Sequence, residues 1–481
     1  MFQATILFVS IFRASPPALR LAPPFLRWAA LLLATLLGFA GPVAADAAAG
    51  EGRPNVLLIY VDDLGYGETG FQGNEQVPTP HIDSIADQGV RFTQGYATAA
   101  VCSPSRAALL AGRHQCRFGH EMNPPWGENW QEYGLPLEVE TLAERLKARG
   151  YATAMTGKWH LGPKPHQYPT AHGFDYYYGQ LDNERSYFTP DILEADAEGH
   201  RSYTVDEPGF YSAFAFADRA VDWLGRQAGE SPWFLYFAPY NNHEPLHAPE
   251  AYIERFADGI ADPERRIYAG MLAAMDEAVG RVLEAAERRS ENLMVFFISD
   301  NGGPKTLPVS NGPLNGHKHI QLEGGIRVPF AMRWPGHIPG LVDYQGMVST
   351  LDVAPTVLAA AGVEPLPPEL EGVDLVPFLT GKRAGPPHET LFWKRNHQWT
   401  VRHGDWKLYV SGETVRLFDL AADIGETKNL ANRRPDKVVE LMRRWADWHE
   451  GNAEPLWWWR EESHGKYRGP EVLLPRWERR L

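Results

Sequence analysis

The chain is poor in cysteine, with two in 481 residues, Cys102 and Cys116. Two thiols cannot build a disulfide framework, and a chain of this length has enough apolar material to dispense with one. It is also short of positive charge. Lys and Arg number 46 against 60 Asp and Glu, a net charge of −14, and this excludes a nucleic-acid binder with a basic stripe. A local basic pocket inside an acidic body is still allowed. No apolar run reaches the roughly 20 residues needed to cross a bilayer, and no repeat of fixed period is visible.

The first 45 residues differ from all that follow. Arg13, Arg20 and Arg27 precede the apolar run 28–40, and Val43-Ala44-Ala45 offers a small-residue cleavage site before Asp46. That order predicts a signal peptide over 1–45 and a periplasmic or secreted mature protein, with no stable membrane insertion once the signal is removed. An uncleaved anchor is the competing reading. Neither a twin arginine nor a lipobox cysteine is present, so ordinary export is expected.

With 44% hydrophobic and 12% aromatic residues, the remainder can bury a large core. Asn55-Val56-Leu57-Leu58-Ile59-Tyr60-Val61 is a continuous apolar run ending in Asp62-Asp63. Tyr151-Ala152-Thr153-Ala154-Met155 leads to Lys158-Trp159-His160, and Trp233-Phe234-Leu235-Tyr236-Phe237 to Asn241-Asn242-His243. A helical pattern over 265–288 precedes Leu293-Met294-Val295-Phe296-Phe297-Ile298-Ser299, which ends in Asp300-Asn301. Such runs suit strands buried on both faces of a parallel sheet, whose ligands lie beyond the strands' carboxyl ends. Four strands emptying into charged clusters point to one shared site, because lone buried charges are costly.

Residues 168–208, rich in Tyr, Asp, Asn and Glu and containing Tyr176-Tyr177-Tyr178 and Asn183-Glu184-Arg185, read as a long excursion over the sheet edge. From about 388 the texture changes to short aromatic strands at 391–394, 399–402, 406–409 and 415–419, then an amphipathic helix over 436–448. The tail holds Trp457-Trp458-Trp459. Three adjacent tryptophans are expected to pack on the body, or else to line a sugar-binding face.

The organising stretch is Val101-Cys102-Ser103-Pro104-Ser105-Arg106-Ala107-Ala108-Leu109-Leu110-Ala111-Gly112. A helix starting near Pro104 would present free N–H groups beside Cys102 and favour an anion there. This Cys-x-Pro-Ser-Arg element resembles the signature of the type I, arylsulfatase-like sulfatases of the alkaline-phosphatase superfamily. The resemblance covers nearly all of residues 53–450. It implies an α/β fold: a large mixed, mostly parallel sheet flanked by helices, with a small C-terminal antiparallel sheet and packing helix. The corresponding division is a catalytic domain at 53–385, a C-terminal subdomain at 386–450 and a tail at 451–481.

The resemblance also implies a mechanism. Cys102 becomes 3-oxoalanine (formylglycine), made by a formylglycine-generating enzyme or an anaerobic sulfatase-maturating enzyme, and its hydrated aldehyde is the nucleophile. Asp62, Asp63, Asp300 and Asn301, with the modified Cys102, hold a metal. Their oxygen donors suit Ca²⁺, with Mg²⁺ as the alternative, better than Zn²⁺. Arg106 holds the nucleophile. Lys158, in Gly157-Lys158-Trp159-His160, bridges it to a sulfate oxygen, and His160 acts as base. His243 protonates the leaving oxygen, with His247 as the competing choice, and Lys318 touches sulfate and shares that role. Where the family often has small residues around this lysine, the chain has His317 and His319.

These residues imply a hydrolase of sulfate monoesters on a sulfated small molecule or glycan, such as a sulfated polysaccharide. The alternatives are a phosphonate monoester or phosphodiester hydrolase of the same superfamily, and a non-catalytic sulfated-glycan binder.

Overall fold

The computed structural model describes residues 52–124, 133–182, 186–227, 231–458 and 466–481. The segment 1–45 expected to be a signal peptide, Asn183-Glu184-Arg185 and Trp459 lie outside the described residues.

The apolar runs become the centre of a sheet. Strands β1 (Asn55–Val61), β4 (Ala152–Lys158), β5 (Tyr176–Gln180), β8 (Trp233–Ala238) and β9 (Leu293–Ser299) lie side by side in the order β9-β1-β8-β4-β5. All four neighbouring pairs run parallel. Every residue of β8 and β9 is buried, as expected for strands covered on both faces. Beyond β9 come β10 (Phe330–Arg333), β2 (Val90–Phe92) and β11 (Val342–Tyr344); beyond β5 come β6 (Asp191–Asp196) and β7 (Gly199–Thr204). The ten strands make a mixed sheet, antiparallel at β9/β10, β10/β2, β5/β6 and β6/β7.

One face carries Leu57, Ile59, Leu235 and Phe237 against the helices Ser212–Arg226 and Pro263–Glu287. The other carries Leu58, Tyr60, Tyr236 and Phe296 against the helices Cys102–Ala111 and Val353–Ala360. Helices on both faces are what seals a parallel sheet from water.

Part of the stretch expected to be an irregular excursion is regular. Tyr176-Tyr177-Tyr178 lies in buried β5, and β6 and β7 form a hairpin that extends the sheet. Their polar composition fits an edge rather than the interior: Glu194 pairs with Arg201 across the hairpin, and charge protects such an edge from pairing with other chains. The helix at the signature starts earlier than expected, at Cys102 itself, with Val101 in extended conformation before it. Pro104 sits in the first turn, where its missing N–H costs nothing.

At the C-terminus, β13 (Thr390–Arg395), β14 (Gln398–His403), β15 (Trp406–Ser411) and β16 (Thr414–Asp419) form an antiparallel meander. Its apolar face, including Trp399, Val401, Leu408 and Leu417, packs on the helix Pro435–His449 through Val438, Leu441, Met442 and Trp445. The Trp399 and Trp445 rings stack at 4.4 Å. Trp457 packs on the body, its indole N–H donating to the Asn123 carbonyl at 3.0 Å and its ring lying against His120 and Tyr133. Cys102 and Cys116 are both buried and unbridged.

Candidate active site

Adjacent strand ends deliver the acidic groups. Asp62 and Asp63 follow β1, and Asp300 and Asn301 follow β9. The Asp300 N–H donates to the Val61 carbonyl at 3.0 Å, and the Asp63 N–H donates to Asp300 Oδ1 at 3.1 Å. Asp63 adopts φ 54°, an uncommon conformation for a residue with a side chain. Asn301 Nδ2 donates to Asp63 Oδ1 at 2.7 Å. Register between two parallel strands is therefore what gathers these four residues.

The helix Cys102–Ala111 then places Cys102 Sγ 3.2 Å from Asp62 Oδ1 and 3.8 Å from Asp63 Oδ1. One turn on, fully buried Arg106 donates to Asp300 Oδ2 through Nε at 3.1 Å and Nη2 at 2.7 Å. Its Nη1 donates to the Lys158 carbonyl at 3.2 Å. Lys158, at the end of β4, sets Nζ 2.5 Å from Asp62 Oδ2. Lys318 sets Nζ 2.8 Å from Asp63 Oδ2, and His243 Nε2 lies 3.7 Å from that oxygen.

Three buried carboxylates thus face Arg106, Lys158 and Lys318, and the charges shape one another. Burial raises the Asp62 carboxyl, but Lys158, His243 and Arg106 outweigh it and hold the group well below its usual value. Burial and the neighbouring Asp62 push Asp300 up to about 7, against the pull of Arg106. Burial lowers Lys318, yet Asp63 more than reverses this and keeps the ammonium charged. Burial and Asp62 drive the Cys102 thiol well up. A thiol so protected from ionisation is a poor thiolate nucleophile. Burial and Lys158 lower His160, while burial and Lys318 lower His243.

Ligand atoms of Asp62, Asp63, Asp300 and Cys102 all lie within 4.8 Å of one another, and Asn301 Oδ1 is buried without a hydrogen-bond partner. Carboxylates packed this closely repel unless a cation sits among them. The donors are mainly hard oxygens, so the cluster fits a divalent ion of the Ca²⁺ or Mg²⁺ kind.

The geometry adds two residues that the sequence did not single out, Asp182 and His120. His160, at φ 60°, directs Nε2 to Asp182 Oδ1 at 3.2 Å, leaving a buried Nδ1 without a partner. Asp182 follows β5, so the strand-into-carboxylate pattern holds here too, within a polar stretch that masks it in the sequence. Ser103 Oγ donates to the His160 carbonyl at 2.7 Å and lies 2.7 Å from His120 Nε2. His247 does not join His243 at the carboxylates; its ring packs beside Tyr187 and Phe188.

Comparison with known proteins gives this constellation its family. The model described as "Sulfatase" matches residues 54–363, and that of the N-sulphoglucosamine sulphohydrolase C-terminal region matches 317–445. The chain is 33% identical to human arylsulfatase A over 450 residues, 81% of this chain and 86% of that protein. It is 32% identical to human N-acetylgalactosamine-6-sulfatase over 388 residues, 72% of this chain and 73% of that one. The crystal structure of Ps i-CgsB superposes with a TM-score of 0.78 at 30% identity, covering 89% of this chain and 99% of the other. The chain belongs to the sulfatase family of the alkaline-phosphatase superfamily, and it is a sulfuric ester hydrolase.

Proposed function

We propose that the chain hydrolyses sulfate monoesters of a sulfated carbohydrate, releasing an alcohol and sulfate, with Cys102 acting in its oxidised 3-oxoalanine form. The observation that carries this is the meeting of Cys102, Asp62, Asp63, Asp300, Arg106, Lys158 and Lys318 around one point. Oxidation by a maturating enzyme replaces the sulfur with an aldehyde, whose hydrate supplies a hydroxyl nucleophile and a second hydroxyl for expelling sulfate afterwards. A thiol has no such second oxygen.

Ca²⁺, or Mg²⁺ in its place, would be held by Asp62, Asp63, Asp300 and Asn301, where it draws charge from the sulfuryl oxygens. The remaining work falls to the protein's side chains. Arg106 fixes Asp300 and keeps the carboxylates from repelling. Lys158 and Lys318 present ammonium groups to the sulfate oxygens, favouring the transition state over the ground state as charge builds there. His243 holds the proton for the leaving oxygen, assisted by Lys318. His160 takes a proton through Nδ1 as the nucleophile is restored.

Carbohydrate as substrate class is supported by relatives. One solved structure of Ps i-CgsB, 29% identical with a TM-score of 0.78, is in complex with k-i-k-neocarrahexaose, and a curated relative is an N-acetylgalactosamine-6-sulfatase. The 1–45 segment supports export to the periplasm or exterior, and among the described residues no helix is long and apolar enough to cross a membrane. A phosphonate monoester hydrolase from Silicibacter pomeroyi shares only the fold, at 19% identity and a TM-score of 0.62.

The test is release of inorganic sulfate from a panel of sulfated mono- and oligosaccharides, beside an aryl sulfate and an aryl phosphonate ester. Mass spectrometry of the Cys102 peptide from the same preparation reports the aldehyde. Sulfate esters should be the faster substrates; faster turnover of the phosphonate, or activity with an unmodified cysteine, would overturn the reading.

A further inference from the structure

The histidine beside Lys318 has no part in the chemistry above, and its geometry is unusual. His319 adopts φ 79°, a left-handed conformation that strains a residue with a Cβ. The fold holds it there from two sides. Its N–H donates to the carbonyl of Ala100, just before the signature helix, at 2.7 Å. From the C-terminal sheet, Arg395 Nη1 donates to the His319 carbonyl at 3.0 Å and Nη2 lies 3.2 Å from His319 Nδ1. A guanidinium cannot accept, so Nδ1 is the acceptor and the ring carries its proton on Nε2. With Nδ1 accepting from the guanidinium, the imidazole is in its neutral form.

Position gives this pair its meaning. Lys318 is 6% exposed and points inward to Asp63, whereas its neighbour His319 is exposed. Arg395 ends β13, at the two-residue turn Asn396-His397. Among the described residues it makes no ion pair with an acid, and its Nε is buried without a partner. A partly buried guanidinium in a protein of net charge −14 ordinarily finds a carboxylate. Basic groups gather at the turn instead: Arg395 and Lys466 both lie close enough to His397 to act on its ring.

We infer that His319 and Arg395 form a second anion subsite beside the sulfate pocket, taking a sulfate or carboxylate of the substrate other than the group hydrolysed. The inference rests on the reading of the chain as a hydrolase of sulfated carbohydrate. The neutral imidazole offers one fixed N–H donor and the guanidinium offers charge, the combination that recognises a planar carboxylate or a sulfate oxygen pair. A substrate carrying only the scissile sulfate leaves this subsite empty.

The experiment compares three sugars: one carrying a single sulfate, the same sugar with a second sulfate, and the same monosulfated sugar joined to a uronate. In the wild type, kcat/KM should be higher for at least one of the doubly anionic sugars. Arg395→Gln should lower the ratio of doubly to singly anionic substrate by about 10- to 100-fold, the range of one charge-assisted hydrogen bond, and through KM. Arg395→Lys should restore part of it, and His319→Gly, which relieves the strained backbone, should also lower the ratio. Whichever doubly anionic sugar responds identifies the anion. An equal fall on all three sugars would mean that Arg395 only props the Lys318 loop, and an unchanged ratio would mean that no subsite exists; either result overturns the inference. Calorimetric binding of the same sugars to protein with unmodified Cys102 makes the comparison without turnover. Absence of sulfate release would then sink the functional reading alone, while equal binding by wild type and Arg395→Gln would sink this one.

Discussion

At the scale of single residues, Arg106 does the most for the site without being placed to react. It is fully buried, donates twice to Asp300 Oδ2, and lies 5.5 Å over the Tyr60 ring. Arg106→Ala leaves Asp300 and Asp62 buried with less compensation, and the variant should lose about 3–5 kcal/mol of stability in urea denaturation. Arg106→Lys should recover little, since an ammonium cannot reproduce the Nε and Nη2 fork. Asp62, Asp63, Lys158, His243, Asp300 and Asn301 stand out in the sequence because each lies just beyond an apolar run, whereas Cys102, Arg106 and Lys318 are marked only by the resemblance to the sulfatase motifs. Asp182 could not be read from the sequence, since β5 is tyrosine-rich and lies in a polar stretch without the continuous apolar run that marks the other strands. Nor could the pairing of His319 with Arg395, which are 76 residues apart and meet only in the folded chain.

At the scale of elements, the C-terminal sheet is tied to the segment that carries Lys318. Glu323, three residues before Ile326 in a short helix, accepts from Lys407 Nζ at 2.9 Å and from the Tyr96 hydroxyl at 2.6 Å. Lys407 in β15 also meets Glu426 at 2.9 Å. Burial raises the Glu323 carboxyl, but Lys407, Arg402 and Arg327 outweigh it and hold the group at about 2, against an ordinary 4.5. A carboxyl depressed by folding stabilises the native state above its unfolded value and loses that contribution as pH falls through the folded one. The stability difference between wild type and Glu323→Gln should therefore be larger at pH 5 than at pH 3, read from urea midpoints. An equal difference at both would mean that the carboxylate is not paired. The strand-end turn at Asp300-Asn301 is equally constrained, because a Cβ on Gly302 would lie 1.8 Å from the Gly324 carbonyl oxygen. Gly302→Ala should displace Asn301 and cost about 1–3 kcal/mol, as overpacking does, with sulfate release falling in parallel. The meander and its helix were legible from alternating aromatic residues and a 3.6-residue period. The β6/β7 edge was not, because edge strands carry the charges that mask a strand pattern.

At the scale of the whole molecule, the proposed function has a protein of net charge −14 attract an anionic ester through a local cluster of positive charge, Lys158, Lys318 and Arg106. Such attraction is screened by salt, so KM for a sulfated sugar should rise between low and physiological ionic strength while kcat changes little. The acidic cluster should also register its ion. Added Ca²⁺ should raise the melting temperature of chelator-treated protein in proportion to the logarithm of its concentration, as binding to the native state alone requires. A melting temperature indifferent to Ca²⁺ and Mg²⁺ would leave the four oxygen donors unexplained.

The most direct measurement is the rate of sulfate release from a sulfated sugar by Cys102→Ala beside the wild type, with circular dichroism melting on both samples. The alanine variant should fold and melt like the wild type and release no sulfate above background. A folded variant that turns over at the wild-type rate would show that the group at the mouth of the Cys102–Ala111 helix is not the one that attacks sulfur.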